Sequence, residues 1–173
     1  MTTSETANPD REVLTYEKFG HVVREMAQTI VDDWQPDIIL SVARGGFFLG
    51  GGLGYAIGLK AVSVLNVEFY TGINERLDEP VILAPTPSPA ELGGMKVLVA
   101  DDVADSGRTL KMVKDFLAPH AKEVRTAVLY EKPSTVIHPD YVWKYTDKWI
   151  DFPWSCLPTV VPSGSEEEAK PGH

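Results

Sequence analysis

Cysteine is nearly absent: Cys156 is the one thiol in 173 residues. No internal disulfide framework can form, so the fold has to be held by its own core, and a reducing compartment fits. Cations are scarce too, with 16 Lys and Arg against 25 Asp and Glu, a net charge of −9. That balance argues against nucleic acid as the main partner. Much of the acidic excess sits in Glu166-Glu167-Glu168, so it says little about any site. No apolar run approaches a membrane span. The opening residues, Met-Thr-Thr-Ser-Glu-Thr-Ala-Asn-Pro-Asp, lack the apolar stretch of a secretory leader, and a cytoplasmic protein is expected. Neither Gly-x-x-x-x-Gly-Lys-Ser/Thr nor Gly-x-Gly-x-x-Gly occurs, which excludes the two commonest nucleotide-cradling loops.

What is present is an ordinary globular composition, 43% hydrophobic and 24% charged, long enough for one domain with a real core. Residues 1–12 and 162–173 are polar and read as disordered ends around a domain at 13–161. Thr15 can cap a helix running to about Trp34, with Phe19, Val22, Val23, Met26, Ala27 and Ile30 on one face. His21 on this helix has no partner at metal spacing and reads as a surface residue. A buried strand follows at Asp37-Ile38-Ile39-Leu40-Ser41-Val42, a partly alternating one at Ala61-Val62-Ser63-Val64-Leu65-Asn66-Val67 and another strand at Glu123-Val124-Arg125-Thr126-Ala127-Val128-Leu129-Tyr130. Tyr141-Val142-Trp143 and Trp149-Ile150 read as short extended pieces. The expectation is an α/β fold: a central, mainly parallel sheet flanked by helices, with a small C-terminal hood at about 132–158.

One stretch organises the rest: Val-Leu-Val-Ala-Asp-Asp-Val-Ala-Asp-Ser-Gly-Arg-Thr-Leu, residues 97–110. The apolar run predicts a buried strand that leaves the sheet at Asp101 and Asp102. A loop follows over 103–108, then a helix from about Thr109 with Leu110, Val113, Phe116 and Leu117 on one side. Ligands of open α/β sheets bind beyond the carboxyl ends of the strands. A helix N-terminus offers unpaired N–H groups to a phosphate, Gly107 allows close backbone approach, and Ser106 and Thr109 add hydroxyls. Carboxylates beside a phosphate make sense if they accept from sugar hydroxyls or face a divalent metal. The implied ligand is a phosphorylated sugar with adjacent hydroxyls, with Mg²⁺.

A second strand–loop–helix unit occurs at Ala43-Arg44-Gly45-Gly46, followed by a glycine-rich helix at 47–58. Its N–H groups and the fixed charge of Arg44 suit a second anion on the same sheet edge. The glycines at 50, 51, 52 and 54 weaken a helix intrinsically. Close packing on the sheet or on a neighbouring subunit would each explain them. Residues 71–95, with Pro80, Pro85, Pro87 and Pro89, read as a long functional loop in which Val81-Ile82-Leu83 is one arm of a hairpin-like flap. Three of the four tryptophans lie between 143 and 154. Trp143 and Trp154 read as core. Trp149 beside Lys132 suits a flat heterocycle bearing a carbonyl, stacked on the ring and hydrogen-bonded to the ammonium group.

At Asp101-Asp102-Val103-Ala104-Asp105-Ser106-Gly107-Arg108-Thr109 the sequence resembles the type I phosphoribosyltransferases. The Asp at position 105 is similar to their 6-oxopurine branch. Lys132-Pro133, then Trp149-Ile150-x-x-Pro153-Trp154, is similar to the base-binding segment of bacterial xanthine/hypoxanthine/guanine enzymes. The resemblance implies purine salvage: transfer of the phosphoribosyl group of phosphoribosyl pyrophosphate (PRPP) to N9 of hypoxanthine, guanine or xanthine. The products would be a purine nucleotide and pyrophosphate. It implies that Arg44, Gly45 and Gly46 hold pyrophosphate and that Asp101 holds the ribose. It assigns Mg²⁺ to Asp102 and the 5′-phosphate to the loop from Asp105 through Ser106, Gly107 and Arg108 to Thr109. Asp105 would be the proton acceptor, and Lys132, Trp149 and Ile150 would contact the base. It also implies a mobile flap and a homodimer or homotetramer. A PRPP-sensing regulator of the same fold, or a transferase for another base or an amine, are the alternatives.

Overall fold

The computed structural model describes residues 10–72, 75–83, 87–164 and 169–172. The chain divides into two compact units, Val22–Thr146 and a smaller one that joins the residues up to His21 with those from Asp147 onward. The stretch read as a hood therefore divides between them. No helix among the described residues is long and apolar enough to cross a membrane.

The larger unit is built on a six-stranded sheet in the order β4-β3-β2-β5-β6-β7. These strands are β2 (Ile38–Ala43), β3 (Val62–Gly72), β4 (Glu75–Leu83), β5 (Lys96–Ala104), β6 (Glu123–Glu131) and β7 (Tyr141–Tyr145). Five are parallel and β4 is antiparallel to β3. The helices are α1 (Tyr16–Asp33), α2 (Gly46–Ile57), α3 (Pro89–Leu92) and α4 (Arg108–Leu117). The expected Thr15 cap of α1 is present, its hydroxyl accepting the Lys18 N–H at 3.2 Å, and Val22, Val23, Met26, Ala27 and Ile30 are buried as the period required. His21 is exposed.

The stretch read as a long loop from residue 71 is half strand. β3 runs on to Gly72 because β4 pairs with it, Asn66 opposite Leu83 and Val67 opposite Ile82. The expected Val81-Ile82-Leu83 arm is the end of β4, while residues 73, 74 and 84–86 lie outside the described residues. A capping box at Ser88 and Glu91 then starts α3.

The glycines of α2 pack on the sheet. An added Cβ at Gly46 would strike the Ala100 carbonyl oxygen, one at Gly50 the Ser41 hydroxyl and one at Gly54 the Val62 side chain. Gly51 faces open space. Four interior glycines cost a helix about 1 kcal/mol each. Full burial of Leu49 and Leu53 returns about 1.5–3 kcal/mol each. The two roughly cancel, so the close approach of the helix backbone to β2 and β5 decides for the helix. On the other side of the sheet's core, Leu110, Val113 and Leu117 of α4 join Leu40, Val42, Leu65, Val99 and Val128.

At the edge of the larger unit away from the strand C-termini, Arg125 binds Asp33 at 2.5 Å, Glu123 at 2.7 Å and the Tyr141 hydroxyl oxygen at 2.8 Å. The Tyr141 hydroxyl donates to Asp33 and the Trp34 N–H to Glu123. The Tyr141 hydroxyl and then Arg125 hold the Asp33 carboxyl below its ordinary range; Arg125 and then Trp34 do the same for Glu123. A carboxylate with a lowered folded pKa contributes stability above its unfolded pKa and loses it as pH falls through the lowered value. Arg125→Ala should therefore lower the melting temperature at neutral pH. The gap from the parent should close on acidification below about pH 4, as a melting series would record; a gap that stays constant would show that the pairs contribute nothing.

The smaller unit holds a two-stranded parallel sheet, β1 (Arg11–Val13) against β8 (Trp149–Asp151). Arg11 and Glu12, read as part of a disordered end, are thus strand residues; residues 1–9 lie outside the described ones. The Leu14 N–H extends the ladder to the Asp151 carbonyl at 3.1 Å. Trp154, read as core, is half-buried: it stacks on Phe152 with centroids 5.0 Å apart and meets Phe19 edge-on. Toward the chain end, Lys170 and Thr159 exchange hydrogen bonds.

Candidate active site

β2 and β5 are parallel neighbours with Ser41 opposite Ala100, so the loops that follow them open on the same sheet edge. The acidic pair sits inside β5 and not beyond it. The strand runs to Ala104, with Asp101 opposite Val128, Val103 opposite Tyr130 and Ala104 opposite Glu131. The reason is the length of β6, which keeps offering ladder partners after the apolar run of β5 has ended. The loop thus shrinks to residues 105–107, and α4 starts at Arg108 instead of Thr109; α2 likewise begins at Gly46 instead of Phe47.

Asp101 turns its carboxylate back to accept the Asp102 N–H at 2.9 Å. Part of each residue reaches solvent, yet burial of the Asp101 carboxyl, with the Asp102 charge adding to it, raises its pKa well above the carboxylate range. Next to the pair lies the loop after β2. An added Cβ at Gly45 would fall on the Asp102 carboxylate. The Ala43–Arg44 peptide is cis, and Arg44 is exposed. Glycine at 45 therefore lets the turn into α2 lie directly against an acidic group.

The chemistry of this donor set suits a divalent cation. Two adjacent carboxylates, one of them disfavoured as a lone charge, meet a loop suited to phosphate oxygens. No group of three or more His, Cys, Asp or Glu residues that could cage a metal occurs among the described residues. Mg²⁺ needs none, because it is commonly held by one or two carboxylates together with substrate phosphates and water.

Gly107 is the N-cap of α4 at φ +73°, a conformation that side chains resist, and an added Cβ would strike the Thr135 hydroxyl. Neither α2 nor α4 has a side-chain cap. The Ser106 hydroxyl reaches the Arg108 N–H only at 3.4 Å, and the regular helix bonds begin with the Lys111 N–H to the Gly107 carbonyl at 2.9 Å. Two helix N-termini without side-chain caps thus open on one sheet edge, each a place for an anion. Asp105, Ser106 and Arg108 are exposed and Thr109 is half-buried.

The structure brings Arg44, Gly45, Gly46, Asp101, Asp102, Lys132 and residues 105–109 together in one unit. The Lys132 N–H donates to the Ala104 carbonyl at 3.0 Å, which fixes the backbone of Lys132 beside the cradle. Trp149 and Ile150 belong to the smaller unit. There Trp149 is exposed with the Arg11 guanidinium 6.0 Å from its ring centroid, and Ile150 is buried. Trp143, read as core, is half-buried and packs edge-on against the buried Tyr130 at 5.2 Å. The sequence reading missed the strap after Lys132. The Ser134 hydroxyl approaches Asp105, and the Val136 N–H donates to the Ser106 carbonyl at 2.9 Å. Pro133-Ser134 carries only a generic turn signal.

Comparison with known proteins agrees with this geometry. A family model described as a phosphoribosyl transferase domain matches residues 11–159. A xanthine-guanine phosphoribosyltransferase of Gluconobacter oxydans is 30% identical over 152 residues, covering 86% of this chain and 87% of that protein. One from Idiomarina loihiensis is 31% identical over 157 residues, 89% of this chain and 93% of its own length. Among solved structures, a purine phosphoribosyltransferase from Pyrococcus horikoshii superposes with a TM-score of 0.76 at 33% identity, covering 88% of this chain and 99% of that one.

Proposed function

Because the chain belongs to the phosphoribosyl transferase family, we propose that it transfers the 5-phosphoribosyl group of PRPP to N9 of a 6-oxopurine, releasing pyrophosphate. The observation that carries this is the shared sheet edge: the contact of Gly45 with Asp102 lies beside a helix-start cradle headed by Asp105. The purine names of the relatives support the substrate class.

In this reading the N–H groups at the start of α4, with Ser106 and Thr109, bind the 5′-phosphate. Asp101 accepts from the ribose hydroxyls. Arg44 and the amides at Gly45 and Gly46 hold the pyrophosphate, and Asp102 would hold Mg²⁺ directly or through water. When bound, the ion would neutralise charge on the departing pyrophosphate. The bond from C1′ to the pyrophosphate oxygen breaks and the bond from C1′ to N9 forms. Asp105 takes the purine proton at N7, and Lys132 donates to the 6-oxo group. From the family resemblance, Trp149 and Ile150 contact the base, a flap within residues 71–95 closes over the reaction, and copies self-associate.

Incubation with PRPP, Mg²⁺ and each purine in turn tests this. Nucleotide and pyrophosphate should form in equal amounts with at least one of hypoxanthine, guanine and xanthine. No product with any of them would overturn the proposal. Lys132→Ala should raise the KM for the base about 10–100-fold, the worth of one charge-assisted hydrogen bond, and leave PRPP affinity unchanged. Unchanged KM values for all three bases would remove Lys132 from base recognition.

A further inference from the structure

The segment after β6 is laid along the cradle loop, pair by pair. The Lys132 N–H meets the Ala104 carbonyl at 3.0 Å and the Val136 N–H meets the Ser106 carbonyl at 2.9 Å. Between them, the Ser134 hydroxyl lies 3.1 Å from the Asp105 carbonyl and 3.4 Å from its carboxylate Oδ1. One step further on, the Thr135 hydroxyl occupies the space that a side chain at Gly107 would need. The strap turns once, with the Thr135 N–H donating to the Lys132 carbonyl at 3.2 Å. That turn puts Ser134 opposite Asp105.

We propose that Ser134 is a positioning residue for Asp105. This rests on Asp105 being the proton acceptor. Asp105 and Ser134 are both exposed, so packing does not fix the rotamer of either. A carboxylate at a loop start would rotate among its staggered positions, and each turn away from the productive one lowers the rate. The serine hydroxyl carries one proton, which it gives either to the Asp105 carbonyl or to Oδ1. The first fixes the backbone of the loop and the second fixes the side chain. With Oδ1 held, Oδ2 is the oxygen left to take the proton. The 3.4 Å separation is long, as hydrogen bonds at a catalytic centre often are before substrate binds. Ser134 lies two residues after Lys132 on the same strap.

The test uses Ser134→Ala, Ser134→Thr, Asp105→Asn and the Ser134→Ala/Asp105→Asn double variant, each assayed for kcat and base KM, with PRPP affinity by calorimetry. Ser134→Ala should lower kcat about 5–20-fold, less than the full worth of one hydrogen bond to a charged group because the hydroxyl proton is shared with the Asp105 carbonyl. Base KM and PRPP affinity should stay within about twofold, and Ser134→Thr, which keeps the hydroxyl, should restore most of the rate. In the Asp105→Asn background the added Ser134→Ala change should cost less than about twofold, since residues acting as a unit are not additive. An unchanged kcat in Ser134→Ala, or the same fractional loss with and without the Asp105 carboxylate, would overturn the proposal. If Asp105→Asn is slow and Ser134→Ala is not, only the role of Ser134 falls. If Asp105→Asn turns over at the full rate, the proton-acceptor reading itself falls.

Discussion

Asp105→Asn is expected to slow nucleotide formation about 10²–10⁴-fold, the usual contribution of a positioned general base. The residue heads the short loop between β5 and α4, next to the uncapped helix start, and is exposed. Asparagine has the same shape and can still accept from Ser134 through its carbonyl oxygen, so the loop should keep its course. PRPP binding should survive, because the amides of α4 and the hydroxyls of Ser106 and Thr109 are untouched. What is lost is the capacity to take a proton as N9 bonds to C1′. The loss should therefore appear in kcat, with base and PRPP KM values changed little. A variant with full turnover on hypoxanthine, guanine and xanthine would show that the proton leaves by another route.

Gly45→Ala should be the second most damaging change, and for a reason unrelated to backbone strain. Gly45 has φ −57° and ψ −39°, ordinary helical values that alanine adopts freely. Its new methyl group would instead land on the Asp102 carboxylate. That carboxylate is the end of a rotatable side chain, so it can swing away and the protein should still fold. The group proposed to hold Mg²⁺ would then be displaced by an ångström or more, and a misplacement of that size costs on the order of 10²-fold. The expected result is a rise of that order in the KM for PRPP with magnesium and an unchanged circular dichroism spectrum. The neighbouring position gives the contrast. At Gly46 the obstacle is the Ala100 carbonyl oxygen, which belongs to the sheet backbone and cannot move aside. Alanine there should lower the melting temperature. A Gly45→Ala protein with parental PRPP kinetics would show that Asp102 does not serve from its observed position.

The parts of this fold that the sequence made legible are those whose pattern is local. The α1 period, the apolar runs of β2, β5 and β6, and the order strand, acidic pair, glycine, helix could all be read in windows of about ten residues. What escaped depends on partners far along the chain. Asp101 and Asp102 looked like the end of a strand because aspartate is uncommon inside one. They remain in β5 because β6 is long enough to pair with them. β4 contains Arg76, Asp78, Glu79 and Pro80, a composition that argues against a strand, and it forms through its hairpin with β3. β1 has three residues, too few to show a period. The glycine stripe of α2 left sheet packing and subunit packing open, and only the positions of Ser41 and Ala100 decide for the sheet. At the site, the motif residues were visible and the strap was not, since nothing in Ser134-Thr135-Val136 announces that it will lie against residues 105–107.

The pairing of β1 with β8 has a consequence for how the molecule is made. Arg11 and Asp151 form an ion pair at 2.6 Å across 140 residues of chain. β1 therefore has to wait, during synthesis from the N-terminus, until β8 has emerged. The parallel sheet can assemble meanwhile from segments that follow one another more closely, while closing the longest loop comes last, as its entropic cost requires. Newly made chains would thus pass through a stage in which the β5–α4 segment is already folded and β1 and β8 have yet to meet.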